Sequence, residues 1–189
     1  MSWIERTAPE AASPELRTIY DRIRSRATSQ RVSYIWQTWG AHPRGLETTF
    51  AALRALMDDC APLTPAQAET LAVVVSATNG CGYCVAHHGP RLARLVGEAM
   101  AQDVARDYRG ANLPARDRVL LDAAVAMTCE PAERKEEDIE RLREYGFDDL
   151  AILKAVEIVA FYNGVNRLVL ALGIELETGV EPWEFGTQT

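Results

Sequence analysis

The amino-acid sequence predicts an all-α fold, and three observations lead to this prediction. Apolar residues recur about every three to four positions through most of the 189-residue chain, which is the spacing of an amphipathic helix. Ser, Thr and Pro stand before the periodic segments, whereas Gly and Pro follow them, as expected at helix ends. No segment has the strict alternation of a half-buried strand. We therefore expect one compact multi-helix domain over residues 1–189, with an N-terminal arm at 1–13 and a C-terminal tail at 176–189.

Four helices are predicted in the first part of the chain. Ser13 caps the first of them, and Pro14 suits its first turn. Residues 32–39 could form a short helix or a strand, and we favour a helix because the neighbouring segments are helical. Thr64 and Gln67 have the spacing of a capping box, which marks the start of the fourth helix. The predicted segments are a helix from Pro14 through Ile23, a polar loop at 25–31, the short helix at 32–39, a break at His42-Pro43, a helix at 44–59 and a helix from Pro65 to about Thr78.

Five more helices are predicted after the pair Asn79-Gly80, which ends the fourth. Their approximate bounds are Cys81–Val96, Glu98–Tyr108, Ala115–Cys129, Glu133–Tyr145 and Asp149–Leu172. Residues 160–169 are similar to residues 76–85, so that Asn163-Gly164 aligns with Asn79-Gly80. This similarity predicts an interruption of the last helix and a second helix–Gly–helix unit, although chance similarity between apolar helices explains it equally well.

The composition limits the classes of function. The chain has a net charge of −7 and an isoelectric point near 5.1, which argues against nucleic acid as a partner, because phosphate binding needs a basic surface. Its apolar runs are far shorter than the roughly 20 residues that span a bilayer, so no membrane partner is expected. The N-terminal residues have neither the basic nor the apolar region of a signal peptide. We therefore expect a cytoplasmic protein with reduced cysteines, in which a close cysteine pair is catalytic or metal-binding.

Residues 69–88 contain most of the ionisable chemistry of the chain, including two of its four cysteines and two of its three histidines. At about 100° per residue, Cys81, Cys84 and His88 fall within an arc of about 60° on one helix. His87 lies at the edge of this arc, and we expect it to face solvent. Apolar residues continue the same face and predict a half-buried cluster: Val85, Leu92 and Leu95.

Glu69 lies on the preceding helix, directly before an apolar run, where a carboxylate is costly unless it is paired. A helix–Gly–helix hairpin at Asn79-Gly80 would bring it back over the Cys–His face. A thiolate is the reactive form of cysteine, and its pKa falls near a helix N-terminus or beside an imidazolium. The set is a base, two thiols and an orienting imidazole, which suits a dithiol/disulfide cycle. The spacing alone favours Cys81 as the nucleophile, because it is nearer the helix N-terminus.

Two other functions remain open on the residues alone. Glu69, Cys81, Cys84 and His88 are of types that bind zinc, although no second Cys/His cluster accompanies them. A lyase acting on a small oxo-acid could instead use Glu69 and His88 as acid and base, the cysteines being incidental. The remaining thiols and imidazole have simpler interpretations: Cys60 and Cys129 as small hydrophobes, and His42 before Pro43 as a turn residue.

The spacing Glu69-x11-Cys81-x2-Cys84-x3-His88 resembles the core motif of the alkylhydroperoxidase D and carboxymuconolactone decarboxylase superfamily. The closer resemblance is to its uncharacterised peroxidase-related branch. It extends over nearly the whole chain, through WIERTAPEAASPELRTIYDRI, SATNGCGYCVAHHGPRL, LREYGFDDLAILKAVEIVAFYNGVNRL and ALGIELE. The decarboxylase side of the superfamily generally lacks the thiol pair, which counts against a decarboxylase here.

The resemblance implies an all-helical homo-oligomer, a trimer or a hexamer, that reduces hydroperoxides with its thiols and uses no cofactor or metal. Cys84 would be the peroxidatic thiol, and Cys81 would resolve its sulfenate to a disulfide. Glu69 and His88 would activate the thiol by relaying its proton. A dithiol, thioredoxin-like or lipoyl electron donor would reset the disulfide.

One position departs from the pattern of this resemblance. The characterised peroxidase has a further histidine inside its Cys-x-x-Cys, whereas this chain has Gly82 and Tyr83. Tyr83 is a poor base near neutral pH, so weaker peroxidase activity or another oxidant is expected. Together with Trp36 or Trp39, Tyr83 would give a partly apolar pocket.

Overall fold

A computed structural model describes residues 2–27 and 30–188 of the protein. Met1 of the predicted arm, Thr28 and Ser29 of the predicted polar loop, and Thr189 of the predicted tail lie outside these residues. All regular structure within them is helical, which confirms the all-α prediction. None of the described helices is both long enough and apolar enough to cross a membrane. The α-helices are α1 Pro14–Arg26, α2 Tyr34–Thr38, α3 Pro43–Met57, α4 Pro65–Thr78, α5 Gly82–Val96, α6 Glu98–Asp107, α7 Ala115–Cys129, α8 Glu136–Glu144 and α9 Asp149–Ala171.

Helix α4 lies at the centre of the fold and packs against α5, α6, α7 and α9. Its residues from Leu71 to Ala77 are all fully buried. A helix that is apolar on every side requires cover on every side, and the four neighbouring helices supply it. The capping box predicted at its start is present: Gln67 N donates to Thr64 Oγ1 at 3.1 Å, and Thr64 N donates to Gln67 Oε1 at 2.9 Å. This central position holds Glu69 beside the helices that carry the thiols and His88.

The connection between α4 and α5 is short because Gly80 has a left-handed backbone, with φ of +69°. Glycine adopts this conformation without the steric cost that other residues meet. The chain turns, Cys81 becomes the N-cap residue of α5, and the amide of Cys81 donates to Ser76 O at 2.8 Å. The first turn of α5 therefore starts beside the last turn of α4.

The predicted interruption of the last helix is wrong, because α9 is continuous through Asn163 and Gly164. Glycine inside a helix costs only about 1 kcal/mol relative to alanine, and the burial of residues on either side outweighs that cost. The Asn163 side chain donates to Val159 O and to Thr128 Oγ1, at 3.0 Å each, which anchors this turn. The predicted second helix–Gly–helix unit is therefore absent from the described residues. Asn79 and Asn163 nevertheless meet, with Asn79 Nδ2 donating to Asn163 Oδ1 at 3.0 Å.

Several smaller predictions also need correction. The helix predicted at Glu133–Tyr145 is a 3₁₀ turn at Pro131–Glu133 followed by α8, which starts later because the Asp138 carboxylate accepts from the amide of Lys135 at 3.0 Å. Leu95 is 49% exposed and does not continue the buried face of α5. Cys129 is exposed at the end of α7, so it is not a core residue, whereas Cys60 is buried as predicted. Residues 32–39 are helical at α2, as favoured, with a 3₁₀ turn after it.

The C-terminal segment after α9 returns over α5 and α6. Trp183 lies so close to Gly89 of α5 that a Cβ there would be 2.4 Å from its ring. Phe185 approaches Gly82 in the same way, at 3.2 Å. Gln188 is buried, and its amide donates to Ala105 O at 2.8 Å. The segment predicted as a tail is thus packed along the back of the helix that carries the thiols.

Candidate active site

The thiols of Cys81 and Cys84 face each other, with their Sγ atoms 3.0 Å apart, and both are buried. They are reduced, and a disulfide of about 2.05 Å would require the sulfurs to approach by only about 1 Å. Cys81 is the N-cap residue of α5 and Cys84 lies in its first turn. The local structure that the Cys-x-x-Cys spacing predicts is therefore present.

The two thiols differ in acidity. The hydrogen bond between the two thiols, with help from backbone amides and from Asn166, lowers the pKa of Cys81 even though burial opposes this. The same hydrogen bond, together with burial, raises the pKa of Cys84 well above that of a free thiol. The pair thus loses its first proton with the negative charge on Cys81, as the helix N-terminus predicts.

Glu69 and His88 form the predicted carboxylate–imidazole pair, and Tyr162 extends it. His88 Nδ1 lies 2.7 Å from Glu69 Oε2, and His88 Nε2 lies 3.1 Å from the Tyr162 hydroxyl. Burial lowers the pKa of His88, although Glu69 opposes this, so the imidazole is neutral. The contacts then assign its tautomer: Nδ1–H donates to the Glu69 carboxylate, and Nε2 accepts from the Tyr162 hydroxyl.

Glu69 stays ionised and Tyr162 stays neutral, as their hydrogen bonds to His88 require. Burial would raise the pKa of Glu69, but the charge and hydrogen bond of His88 outweigh it, with Arg91 assisting, and the pKa is lowered. Burial raises the pKa of Tyr162 well above its usual range, and the charge of Glu69 adds to this effect. A carboxylate, a neutral imidazole and a phenol therefore form a continuous hydrogen-bonded path.

The structure brings the predicted residues together in two pairs rather than in one cluster. Both nitrogens of His88 are used, and within residues 2–27 and 30–188 no hydrogen bond joins it to either thiol. Tyr162 is buried beside His88 and lines the same cavity as Cys84. No group of three or more His, Cys, Asp and Glu side chains in the described part of the chain is arranged to hold a metal ion.

Two buried residues of α9 were missed by the sequence reasoning. Tyr162 and Asn166 lie one turn apart on one face, and Asn166 is completely buried. Asn166 Nδ2 donates to Ser76 Oγ at 3.0 Å, and its Oδ1 accepts from Asn79 at the same distance. The sequence does contain a pattern that could have identified them: two polar side chains four residues apart in a largely apolar helix. Such side chains need hydrogen-bond partners when they are buried.

A third missed residue, Glu177, comes from the C-terminal segment. Its Oε1 accepts from the Tyr83 hydroxyl at 2.7 Å and from the amide of Tyr34 at 2.5 Å, while its Oε2 lies 2.9 Å from His87 Nε2. Burial opposes ionisation, but these hydrogen bonds, led by that of His87, lower the pKa of Glu177 to about 2. His87 is therefore held by a carboxylate and its side chain is only 26% exposed, so the expectation that it faces solvent is wrong.

Tyr83 occupies the position of the expected relay histidine, but it serves this second network. Its hydroxyl donates to Glu177 and accepts from the amide of Ile35 at 3.2 Å. Burial, followed by the charge of Glu177, raises the pKa of Tyr83 well above its usual range. Its ring also lies 4.5 Å from that of His87. Tyr83 thus fixes the start of α5 against α2 and does not release a proton near neutral pH.

A cavity of about 270 Å³ connects these groups. Cys84 lines it together with Tyr162, His88 and Glu69, whereas Cys81 does not. The predicted pocket residues Tyr83 and Trp36 also line it, and Trp39 stacks on Trp36 with ring centroids 5.7 Å apart. Of the two cysteines, only Cys84 is therefore placed to meet a small molecule that enters the cavity.

Comparisons with known proteins show which proteins share the sequence pattern and the fold. A sequence profile of the Carboxymuconolactone decarboxylase family matches residues 43–95. The crystal structure of an uncharacterized peroxidase-related protein from Silicibacter sp. TM1040 is 30% identical, with a TM-score of 0.82 over 89% of this chain and 90% of that chain. An uncharacterized peroxidase-related protein from Ralstonia eutropha JMP134, described as an alkylhydroperoxidase AhpD core, is also 30% identical, with a TM-score of 0.85 over 94% of this chain and 93% of that one.

A more distant structure shares the fold. The debrominase Bmp8, solved in complex with 2,3,4-tribromopyrrole, is 18% identical, with a TM-score of 0.74 over 87% of each chain. At this identity the likeness concerns the fold alone. A comparison with curated proteins found no match.

Proposed function

Because the chain belongs to the alkylhydroperoxidase D and carboxymuconolactone decarboxylase superfamily, we propose that it is a thiol-dependent hydroperoxide reductase. Its Cys81 and Cys84 would cycle between dithiol and disulfide. The observation that carries this proposal is the 3.0 Å separation of the two sulfurs, together with the position of Cys84 at the wall of a cavity. A thiol pair so close together can complete a two-electron reduction without a change of fold.

The proton that activates the pair leaves through Tyr162. The thiol proton passes to the Tyr162 oxygen while the Tyr162 proton passes to His88 Nε2, 3.1 Å away. The imidazolium that results is stabilised by the Glu69 carboxylate at 2.7 Å. One proton then remains on the pair, and the hydrogen bond between the thiols favours the negative charge on Cys81. Transfer of the Cys84 proton to Cys81 across 3.0 Å gives the Cys84 thiolate.

Cys84 is the attacking thiol because it lines the cavity. Its thiolate attacks the terminal oxygen of the hydroperoxide, the O–O bond breaks, and Cys84 becomes a sulfenic acid. The alcohol leaves as an alkoxide and takes back the proton that His88 and Tyr162 hold. The Cys81 thiol then attacks the Cys84 sulfur, which forms the disulfide and releases water. In total, the pair loses two electrons and two protons, and the hydroperoxide becomes an alcohol and water.

The electron donor has to reach Cys84 through the same cavity. A volume of about 270 Å³ corresponds to about nine water molecules at about 30 Å³ each. This space admits a narrow dithiol arm but excludes a folded domain. We therefore favour a small dithiol or a lipoyl arm over direct docking of a thioredoxin-like protein. The homo-oligomeric state and the cytoplasmic location predicted from the sequence stay predictions.

The proposal is tested by titrating thiols after exposure to cumene hydroperoxide. A background in which Cys60 and Cys129 are replaced by Ser isolates the pair. We expect two thiols to be consumed per chain and a disulfide to form between Cys81 and Cys84, as located by peptide mass spectrometry. An unchanged thiol count would refute the reductase. In the lyase alternative, the Cys81→Ser, Cys84→Ser double variant would retain full turnover of an oxo-acid.

A further inference from the structure

Three arginines line the same cavity as Cys84, although the protein as a whole is acidic. They are Arg26 at the end of α1, Arg54 on α3 and Arg91 on α5. The chain has a net charge of −7, so the composition gives no reason for cations to gather at one place. The pKa of Arg54 is lowered by burial and then by the charges of Arg26 and Arg91, which means that the three guanidinium groups are close enough to repel one another.

The carboxylates of the cavity do not balance these cations. Arg54 forms an ion pair with Asp58, one turn further along α3. Glu69 is held by His88. Arg26 and Arg91 have no ion-pair partner in residues 2–27 and 30–188, and both are exposed at the edge of the cavity. The arrangement keeps guanidinium donors free on the route to the thiol, where a planar anion could accept two parallel hydrogen bonds.

The position of Arg91 gives the distance between the anion and the reacting sulfur. Arg91 follows Cys84 by seven residues on α5, which is about 10 Å along the axis and within about 20° of the same face. The cavity wall also contains apolar side chains from α2, α3 and α9: Trp36, Phe50, Leu53, Phe161 and Val165. A ligand that fits would have a reactive group at one end, an apolar body, and an anionic group at the other end.

We propose that the substrate is an organic hydroperoxide that carries a carboxylate at the end remote from the O–O bond. Arg26 and Arg91 bind this carboxylate, and the apolar side chains of the wall hold the body, so that the peroxide lies against Cys84. This inference rests on the proposed function, because it names the substrate class of the same site. The cavity of about 270 Å³ limits the substrate to a small or medium-sized molecule.

A matched pair of probes tests the inference. The first probe is cumene hydroperoxide with a para-carboxylate, and the second is its methyl ester, which has the same peroxide and ring but no charge. The second-order rate of Cys81–Cys84 disulfide formation is measured for both by rapid mixing of the reduced protein. We expect the carboxylate to react at least tenfold faster at low salt, and this advantage to shrink as salt is raised.

Arginine variants then locate the effect. Arg26→Gln and Arg91→Gln should each lower the rate with the carboxylate about tenfold more than they lower the rate with the ester. Arg44→Gln is the control, because Arg44 is exposed like Arg26 and Arg91 but does not line the cavity. Near-ultraviolet circular dichroism checks that each variant is folded.

The outcomes separate the two proposals. If neither probe oxidises the pair, the proposed reductase fails. If both probes react equally well, or if the arginine variants slow only the re-reduction of the disulfide by a dithiol, the reductase stands and the carboxylate substrate is refuted.

Discussion

Replacing Glu177 by Gln tests whether the C-terminal segment holds the wall of the active site in place. The substitution keeps the size of the side chain and removes its charge. It weakens three hydrogen bonds at once, those from the Tyr83 hydroxyl, the amide of Tyr34 and His87. Because hydrogen bonds to a charged acceptor are stronger than those to a neutral one, we expect a less stable protein.

The size of the effect follows from the pKa of Glu177, which is lowered from 4.5 to about 2. At about 1.4 kcal/mol per pKa unit, ionised Glu177 contributes about 3 kcal/mol at pH 7. Its side chain is only 10% exposed, so screening by solvent is small. Since the pKa is lowered on folding, this stability is present above about pH 4.5 and is lost as the pH falls towards 2. Between pH 7 and pH 3, roughly 2 kcal/mol should disappear.

Urea denaturation at pH 7 and pH 3, at one protein concentration, measures this effect. With an m-value of about 2 kcal/mol/M, Glu177→Gln should lower the midpoint by up to about 1.5 M at pH 7, and its midpoint should depend less on pH than that of the wild type. Glu181→Gln is the matched control on the same segment, because Glu181 is exposed, and it should change stability by less than about 0.5 kcal/mol. A Glu177→Gln midpoint equal to the control, with the pH dependence of the wild type, would show that the reasoning is wrong.

Four further predictions concern the relay, the thiols and the packing of α5 and α9. Tyr162→Phe removes the hydroxyl that we propose carries the thiol proton to His88, so oxidation by cumene hydroperoxide in rapid-mixing experiments should slow by about 100-fold, with an unchanged final thiol count. Asn166→Ala should raise the lower thiol pKa of the reduced pair, measured by the pH dependence of thiolate absorbance, and an unchanged pKa would exclude this role. Gly89→Ala should lower stability by about 1–3 kcal/mol, because its Cβ would meet the ring of Trp183 at 2.4 Å. Gly164→Ala, with no neighbour within 4 Å of its Cβ, should instead raise stability by up to about 1 kcal/mol in the same urea experiment.

The parts of the site that the sequence predicted depend on local spacing. Cys81 and Cys84 are one turn apart at a helix start, so helical geometry alone places their sulfurs together. Glu69 was predicted to need a partner because a carboxylate beside an apolar run is costly when unpaired, and His88 was the nearest candidate across a glycine turn. The capping box at the start of α4 is likewise a local pattern.

The residues that escaped prediction join the site through packing between distant segments. Glu177 is separated from His87 by 90 positions, and Tyr162 from His88 by 74. The sequence around Glu177 and around Tyr162 does not indicate which residues they contact. Tyr162 is also only one of six tyrosines in the chain. The error at Gly164 has the opposite origin. There a local preference of about 1 kcal/mol was given too much weight against the packing of a long buried helix.

The contribution of the last residues to the site has a consequence for synthesis of the protein. The Cys-x-x-Cys helix is made first, and translation at about 5–20 residues per second needs roughly 5 to 20 s to add the 90 positions between His87 and Glu177. During this interval the nascent chain carries both thiols without Tyr162, Asn166 and Glu177. The active site can therefore form only after translation of the C-terminal segment, so a chain released early would have the cysteines without the groups that control their protons.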